Sequence, residues 1–308
     1  MTSSPSHSIR ATIIGTIAIL LWALLALFTT WAKGIPPFQL LALTFFIAFV
    51  SGFIVLSAKG KKSFQNLKQK PIVWIVSVGG LFGYHLFYFI ALHNAPAVEA
   101  SLIAYLWPLL IVFFSALLPG ERLYWFHVAG TLIGLAGAVL IVTKGQSLSW
   151  SAEHYVGYLA AIACALTWSS YSVLNRKFKD VPTDAVTGFC GATAFLGFVF
   201  HLGTETWVTP TSIQSLAILA LGLGPVGLAF FVWDYGTKHG DIQVLGALSY
   251  GAPLLSTLLL VAVGLAQASW TLAIACLLIV GGAFLASAKM LKSNSTFHET
   301  ESLPEKEL

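Results

Sequence analysis

From residue 11 to residue 288 the chain is a nearly unbroken succession of apolar runs. Each is about as long as a bilayer is thick, since a hydrocarbon core of roughly 30 Å takes about 20 residues of α-helix. Breaks at charged, Pro and Gly-rich points give ten candidate spans: 11–32, 38–58, 72–93, 97–118, 124–143, 155–175, 183–204, 213–236, 242–263 and 270–289. Only 9% of the 308 residues are charged and 57% are hydrophobic, whereas a soluble domain carries about a quarter charged residues. Continuity of the runs excludes a soluble core with a single anchor, and their length excludes the short alternating strands of a β-barrel. The expected fold class is all-α: a polytopic membrane protein with ten transmembrane helices. The first run, beginning after Arg10, is longer than the apolar stretch of a signal peptide and reads as a retained span.

The basic residues orient these spans. With ten spans, fourteen of the sixteen Lys and Arg fall at one face, and only Lys33 and Lys144 at the other. The positive-inside tendency then puts both termini in the cytoplasm of a multi-pass protein, expected in a bacterial inner membrane. The polar segment 290–308 reads as a disordered cytoplasmic tail. Cys164, Cys190 and Cys276 lie inside apolar segments, without metal-ligand spacing or a loop position suited to a disulfide, and read as small packing residues.

A phrase occurs twice. "SLIAYLWPLL" runs from Ser101 to Leu110, and "GALSYGAPLL" from Gly246 to Leu255. At the same offset Trp125 matches Trp270, Leu132 matches Leu277, and Gly137-Ala138 match Gly282-Ala283. With a slip of one residue Trp22 matches Trp168 and Pro36 matches Pro182. The halves, 11–143 and 155–289, hold five spans each. Five is odd, so the second half starts on the opposite side of the membrane: an inverted repeat about a central cavity. Two equivalent, oppositely directed halves can exchange conformations and so expose one cavity alternately to each side.

In each copy of the phrase the first residue, the Tyr and the Pro stand at i, i+4 and i+7: Ser101, Tyr105 and Pro108, then Gly246, Tyr250 and Pro253. They share a helix face. An internal Pro frees a carbonyl, which in hydrocarbon is tolerated beside a cavity. Both phrases therefore predict kinked, cavity-lining helices. Tyr84, His85 and Tyr88 lie deep in the third span, where ionisable groups face a bundle interior. With Trp107, Trp168 and Trp233 they complete the candidate substrate-binding set, offering rings to stack on and a neutral imidazole for an ammonium or carboxylate.

Ten spans in two units of five resemble the drug/metabolite transporter superfamily and its EamA-type repeat. Each unit has a Trp followed by a Pro fourteen residues on, "Y-x-x-P-L-L" in its fourth span, and a Gly-rich fifth span such as "GTLIGLAGAVL" (130–140). The stretch "GYHLFYFIALHNAPAVEASLIAYLWPLL" (83–110) resembles the bacterial aromatic amino acid exporter branch. The resemblance implies export of aromatic and other neutral amino acids by alternating access, with export of drugs, purines or small amino acids as the alternative.

The residues add that the cavity should be aromatic, weakly polar and uncharged, because no Asp, Glu, Lys or Arg falls mid-membrane. Such a lining suits a zwitterion with a large apolar side chain. Transport is accordingly expected to run down the substrate gradient, with His85 or Glu99 as a fallback proton site. Asp234 sits near the inner end of the eighth span, and Asp184 and Asp241 sit at helix-capping positions. In "WDYGTKHGD" (233–241) the two Asp share one turn, which excludes the two-carboxylate chemistry of an aspartyl protease. The G-x-x-x-G at Gly130 and Gly134 is expected to pack helices of the same chain. No nucleophile, base or metal cluster supports an enzyme, and a scaffold needs no repeated Tyr and Pro. Neither cofactor nor nucleic acid is expected. The expected partners are an amino acid and the bilayer, with the chain a monomer or weak homodimer.

Overall fold

The computed structural model describes residues 5–148 and 150–288. Residue 289 at the end of the expected tenth span and the expected tail, 290–308, lie outside the described residues. Among the described residues all regular structure is helical, with no strand. Among the described residues nine helices are long and apolar enough to cross a bilayer: α1 (His7–Trp31), α2 (Pro37–Lys59), α3 (Pro71–Asn94), α4 (Ala97–Ser115), α5 (Trp125–Thr143), α6 (Ala152–Phe178), α7 (Thr183–Thr204), α8 (Ser212–His239) and α9 (Ile242–Ala262). The shorter α10 (Trp270–Ala286) completes the ten. Hereafter the face carrying the N-terminus and most of the Lys and Arg is the basic face.

Helix starts follow capping chemistry. Pro37 and Pro71 open α2 and α3, where a missing N–H is harmless. Asp241 accepts from the amides of Gln243 and Val244, both at 3.1 Å, and so caps α9 as its position suggested. Glu205, beyond the end of α7, accepts from the amides of Phe38 at 2.8 Å and Gln39 at 3.0 Å, capping α2 from the other repeat. Asp184 is no cap; it pairs with Lys59 at 2.7 Å on the basic face.

Four helices are interrupted. α4 consists of Ala97–Ala104 and Trp107–Ser115, and α9 of Ile242–Leu248 and Gly251–Ala262. Both breaks fall at the Tyr of the repeated phrase rather than at its Pro. A Pro cannot donate to the carbonyl four residues back and clashes with it, so the turn before the Pro deforms. There the pairing shortens to i→i−3: Leu106 N donates to Ile103 O at 3.1 Å and Ala252 N to Ser249 O at 3.1 Å. α8 carries a wide turn at Gly224–Leu228 around Pro225, and the carbonyl of Pro225 accepts from Trp22 Nε1 at 3.1 Å. α1 breaks after Trp22 without any Pro.

Packing reproduces the inverted repeat. α1 packs along α8 and α3 along α6, while α2 packs on α7 and α5 on α10. Exchanging the repeats maps each of these pairings onto another or onto itself. Small residues make the seams: Gly15 meets Gly236, Gly80 takes the Tyr171 ring, Gly52 faces Thr187, and Gly130 lies on the Gly282 carbonyl. The G-x-x-x-G of α5 therefore packs on α10 of the same chain. Gly197 rests on Ala42 as Gly52 does on Thr187, an offset of 145 in both cases. The offset found in the repeated phrase thus also holds through α2 and α7, with Pro37 rather than Pro36 the mate of Pro182.

A Cβ added at Gly130 meets backbone of α10, so Gly130→Val is expected to destabilise by about 1–3 kcal/mol through overpacking. Gly281→Ala, whose Cβ meets nothing within 4 Å, should be neutral. Thermal unfolding of the two purified variants in detergent checks the difference.

Candidate substrate-binding cavity

The two halves of the repeat are not in the same state. On the basic face, the second half of α4 packs on the first half of α9, and a Cβ at Gly246 would lie 3.1 Å from the Pro108 carbonyl oxygen. The repeat mates of these two residues, Ser101 and Pro253, both line a cavity of about 550 Å³ instead. The cavity reaches the other face at the exposed residues Thr29 and Pro37. This is a bundle closed toward its basic face and open toward the opposite one.

An aromatic cluster floors the cavity. Trp22 and Trp168, mates across the pseudo-two-fold, meet with ring centroids 5.8 Å apart. Trp107 closes on Trp22 at 6.1 Å and Phe230 on Trp168 at 5.8 Å. One wall comes from α3, where Tyr84 and Tyr88 stack nearly parallel at 6.1 Å and Tyr84 also meets Trp168 at 5.4 Å. Tyr88 and Ser101 exchange a hydroxyl hydrogen bond of 3.2 Å between α3 and α4. His85 Nδ1 lies 2.7 Å from the carbonyl of Leu81. A carbonyl only accepts, so Nδ1 carries a proton, and in the neutral form of the ring Nε2 is an acceptor. No Asp, Glu, Lys or Arg occurs among the described wall residues.

Of the residues singled out in the sequence, Tyr84, His85, Tyr88, Ser101, Tyr105, Trp107, Trp168 and Pro253 border this cavity. Four do not. Tyr250 is fully buried behind the wall, in a cluster with Ala138, Leu254 and Ile279 and against Gly134. Trp233 is fully buried beneath the floor, 5.1 Å from Trp22, with Nε1 donating to Ser172 Oγ at 3.1 Å. Pro108 is on the closed side, and Glu99 is buried at the start of α4, away from the wall. Thr29, Phe89, Phe230, Ser256 and Thr257 belong to the lining and escaped the sequence reading. One signal was available: the 145-residue offset makes Phe230 the mate of His85.

Beneath Trp233 the closed half is tied by polar groups. Asp234 and Lys238, one turn apart on α8, pair at 2.8 Å, with side chains each 1% exposed. Asn175 Nδ2 donates to Asp234 Oδ1 at 3.1 Å, and Thr183 Oγ1 to Oδ2 at 2.7 Å. Lys238 Nζ also donates to the carbonyl of Val181 at 3.0 Å. Arg176 caps the end of α8 through the carbonyls of Thr237 and Gly240 and pairs with Glu121 of the first repeat.

An uncharged, aromatic cavity between inverted five-helix units is the architecture of a membrane transporter. The profile of the EamA-like transporter family matches residues 9–143 and 155–288, and the chain belongs to that family. It is 54% identical over 278 residues to the aromatic amino acid exporter YddG of Ancylobacter novellus, across 90% of this chain and 96% of that one. It is 26% identical over 297 residues to the aromatic amino acid exporter YddG of Escherichia coli, again across 90% and 96%. A solved crystal structure that is 53% identical superposes with a TM-score of 0.87, covering 92% of this chain and 99% of its own.

In a cysteine-free background, Thr29→Cys and Ser101→Cys are expected to react with a water-soluble maleimide at least about tenfold faster than a lone native Cys190, which is fully buried. Labelling rates in non-denaturing detergent test this open-and-closed assignment; equal rates would contradict it.

Proposed function

We propose that this chain exports amino acids, aromatic and other neutral ones, across a bacterial inner membrane by alternating access. In this reading its basic face is cytoplasmic and the described state is open to the outside. The supporting observation is the wall itself. At about 550 Å³ it falls within the roughly 300–1,000 Å³ usual for small-molecule sites. Its Trp and Tyr rings offer stacking surface to an aromatic side chain. His85 Nε2 accepts from an α-ammonium, and whichever of the paired Tyr88 and Ser101 hydroxyls accepts from the other donates its own proton to an α-carboxylate. A fixed acid would suit a cationic drug, and a fixed Lys or Arg a phosphate; neither lines the cavity. The names of the relatives support the same substrate class.

Within this reading Tyr84, His85, Tyr88, Ser101, Tyr105, Trp107 and Trp168 contact substrate. Trp233 and Tyr250 back the site in the outward-open state. The breaks beside Pro108 and Pro253 are the hinges of the exchange. An uncharged wall also fits facilitated transport without proton coupling.

Counterflow of labelled phenylalanine, tryptophan and threonine into liposomes tests the reading. Saturable flux is expected, lowered at least about tenfold in Tyr105→Ala and Trp168→Ala, since each removes a ring that would stack on substrate. Tyr250→Phe should keep the flux within about twofold. Absence of counterflow for every amino acid would sink the proposal. Collapsing the pH gradient in the same vesicles should leave the initial rate unchanged; loss of uphill accumulation on collapse would establish proton coupling instead.

A further inference from the structure

On the open half, Phe38 and Phe89 pack with ring centroids 5.3 Å apart, and Phe89 forms part of the cavity wall. Advancing both by 145 residues gives Thr183 and Asp234. These two are also in contact, through the 2.7 Å bond from Thr183 Oγ1 to the Asp234 carboxylate. The same step takes the wall residue Tyr88 to Trp233. Helix ends agree with the register: α3 ends at Asn94 and α8 at His239, and α4 begins at Ala97 and α9 at Ile242. Asp234 therefore holds, in the closed half, the place that a wall residue holds in the open half. When the repeats exchange conformations it becomes part of the wall on the basic face.

The two faces then differ in chemistry. The mates of Asp234 and Lys238 are Phe89 and His93, so the open half has no counterpart to this ion pair. While the basic face is closed, the pair is satisfied by other helices. Asn175 of α6 and Thr183 of α7 donate to the carboxylate, and the Val181 carbonyl between α6 and α7 accepts from the ammonium. Moving α8 away from α6 strips the carboxylate of the Asn175 donor and the ammonium of the Val181 acceptor, while Thr183 stays beside Asp234 as Phe38 stays beside Phe89 in the open half. Asp234 and Lys238 share a helix and stay adjacent. What they lack after opening is a donor on one side and an acceptor on the other, a short distance apart.

We propose that Asp234 and Lys238 form a zwitterion-capture site on the basic face, masked in this state by Asn175 and Val181. The α-ammonium of an amino acid takes the place of the Asn175 donor on Asp234, and its α-carboxylate takes the place of the Val181 carbonyl on Lys238. A zwitterion leaves neither charge short of a partner, whereas an amine or a carboxylic acid leaves one of them unmatched. The inference rests on the amino acid exporter reading and adds a second, sided site to the central cavity.

The test compares phenylalanine with phenylethylamine, which lacks the carboxylate, and 3-phenylpropanoate, which lacks the ammonium. Each competes against labelled phenylalanine in proteoliposomes holding the full chain. The unmodified protein is expected to prefer phenylalanine over both analogues by about tenfold or more, the scale of a lost charge-assisted hydrogen bond. Asp234→Asn/Lys238→Gln removes both charges together, and there the preference should fall at least about threefold, to what the central cavity alone confers. Singly, Asp234→Asn should lower the preference over the propanoate and leave that over the amine, and Lys238→Gln should do the reverse. A mere shift in the conformational balance scales all three ligands alike and leaves their ratios untouched. If the double variant does not elute as a monodisperse protein, Lys238→Gln alone carries the test. Phenylalanine flux with no preference in the unmodified protein, or with an unmodified preference in the variant, overturns the capture site and leaves the exporter reading standing. Absence of flux for every amino acid overturns both.

Discussion

Inside hydrocarbon a backbone N–H or C=O without a partner costs several kcal/mol, and this one constraint arranges the molecule. It forces every span into a helix, and it permits a helix to break only where something else can serve the freed groups. All four breaks obey it. The residues beside them, Trp22 and Leu25 in α1, Tyr105 in α4, Pro225 and Val226 in α8, and Ala252 and Pro253 in α9, border the cavity. The carbonyl of Pro225 is answered directly by the indole of Trp22. Helices α2, α5, α7 and α10 run unbroken and pair as α2 with α7 and α5 with α10. The places where the backbone yields and the place where a ligand fits are thus the same level of the bundle.

The two-fold relation between the repeats governs connectivity and register but not environment. The two copies of the phrase put Tyr105 on the wall and Tyr250 against Gly134, fully buried. This difference is what a single conformational state of a symmetric exchanger must show. If mates stood in equivalent surroundings, the cavity would be open to both faces or to neither. The contact between Gly246 and Pro108, set against the cavity between Ser101 and Pro253, expresses the same asymmetry in the backbone.

Hydropathy and the basic residues made the ten helices legible in the sequence, because the bilayer allows so few alternatives. The repeated Tyr and Pro marked α4 and α9 as interrupted, since the chemistry of Pro is local. The break in α1 after Trp22 was not legible: no Pro or Gly marks it, and it is sustained by tertiary surroundings. Nor was the cap that Glu205 places on α2, a contact across 167 residues. For the site, type and period located Tyr84, His85, Tyr88 and Trp168 on a shared interior. Depth behind the wall escaped the same reasoning for Trp233 and Tyr250. Helical periodicity says which way a side chain points within a bundle, and only the packed structure says whether a cavity or another helix meets it there.

The polar ties of the closed half are also modest for a physical reason. A buried ion pair such as Asp234 with Lys238 gains in Coulomb attraction roughly what it loses in desolvation, so well-packed apolar residues would hold the half shut at least as firmly. The Arg176–Glu121 pair is partly exposed and correspondingly weak. A lock made of such contacts is specific in geometry and small in net free energy. A two-state exchanger needs that combination, because states separated by more than a few kcal/mol would leave one of them unvisited. Aromatic packing of the Trp floor supplies the rigid part. The charged groups beneath it supply contacts that a ligand bearing both signs of charge can replace one for one.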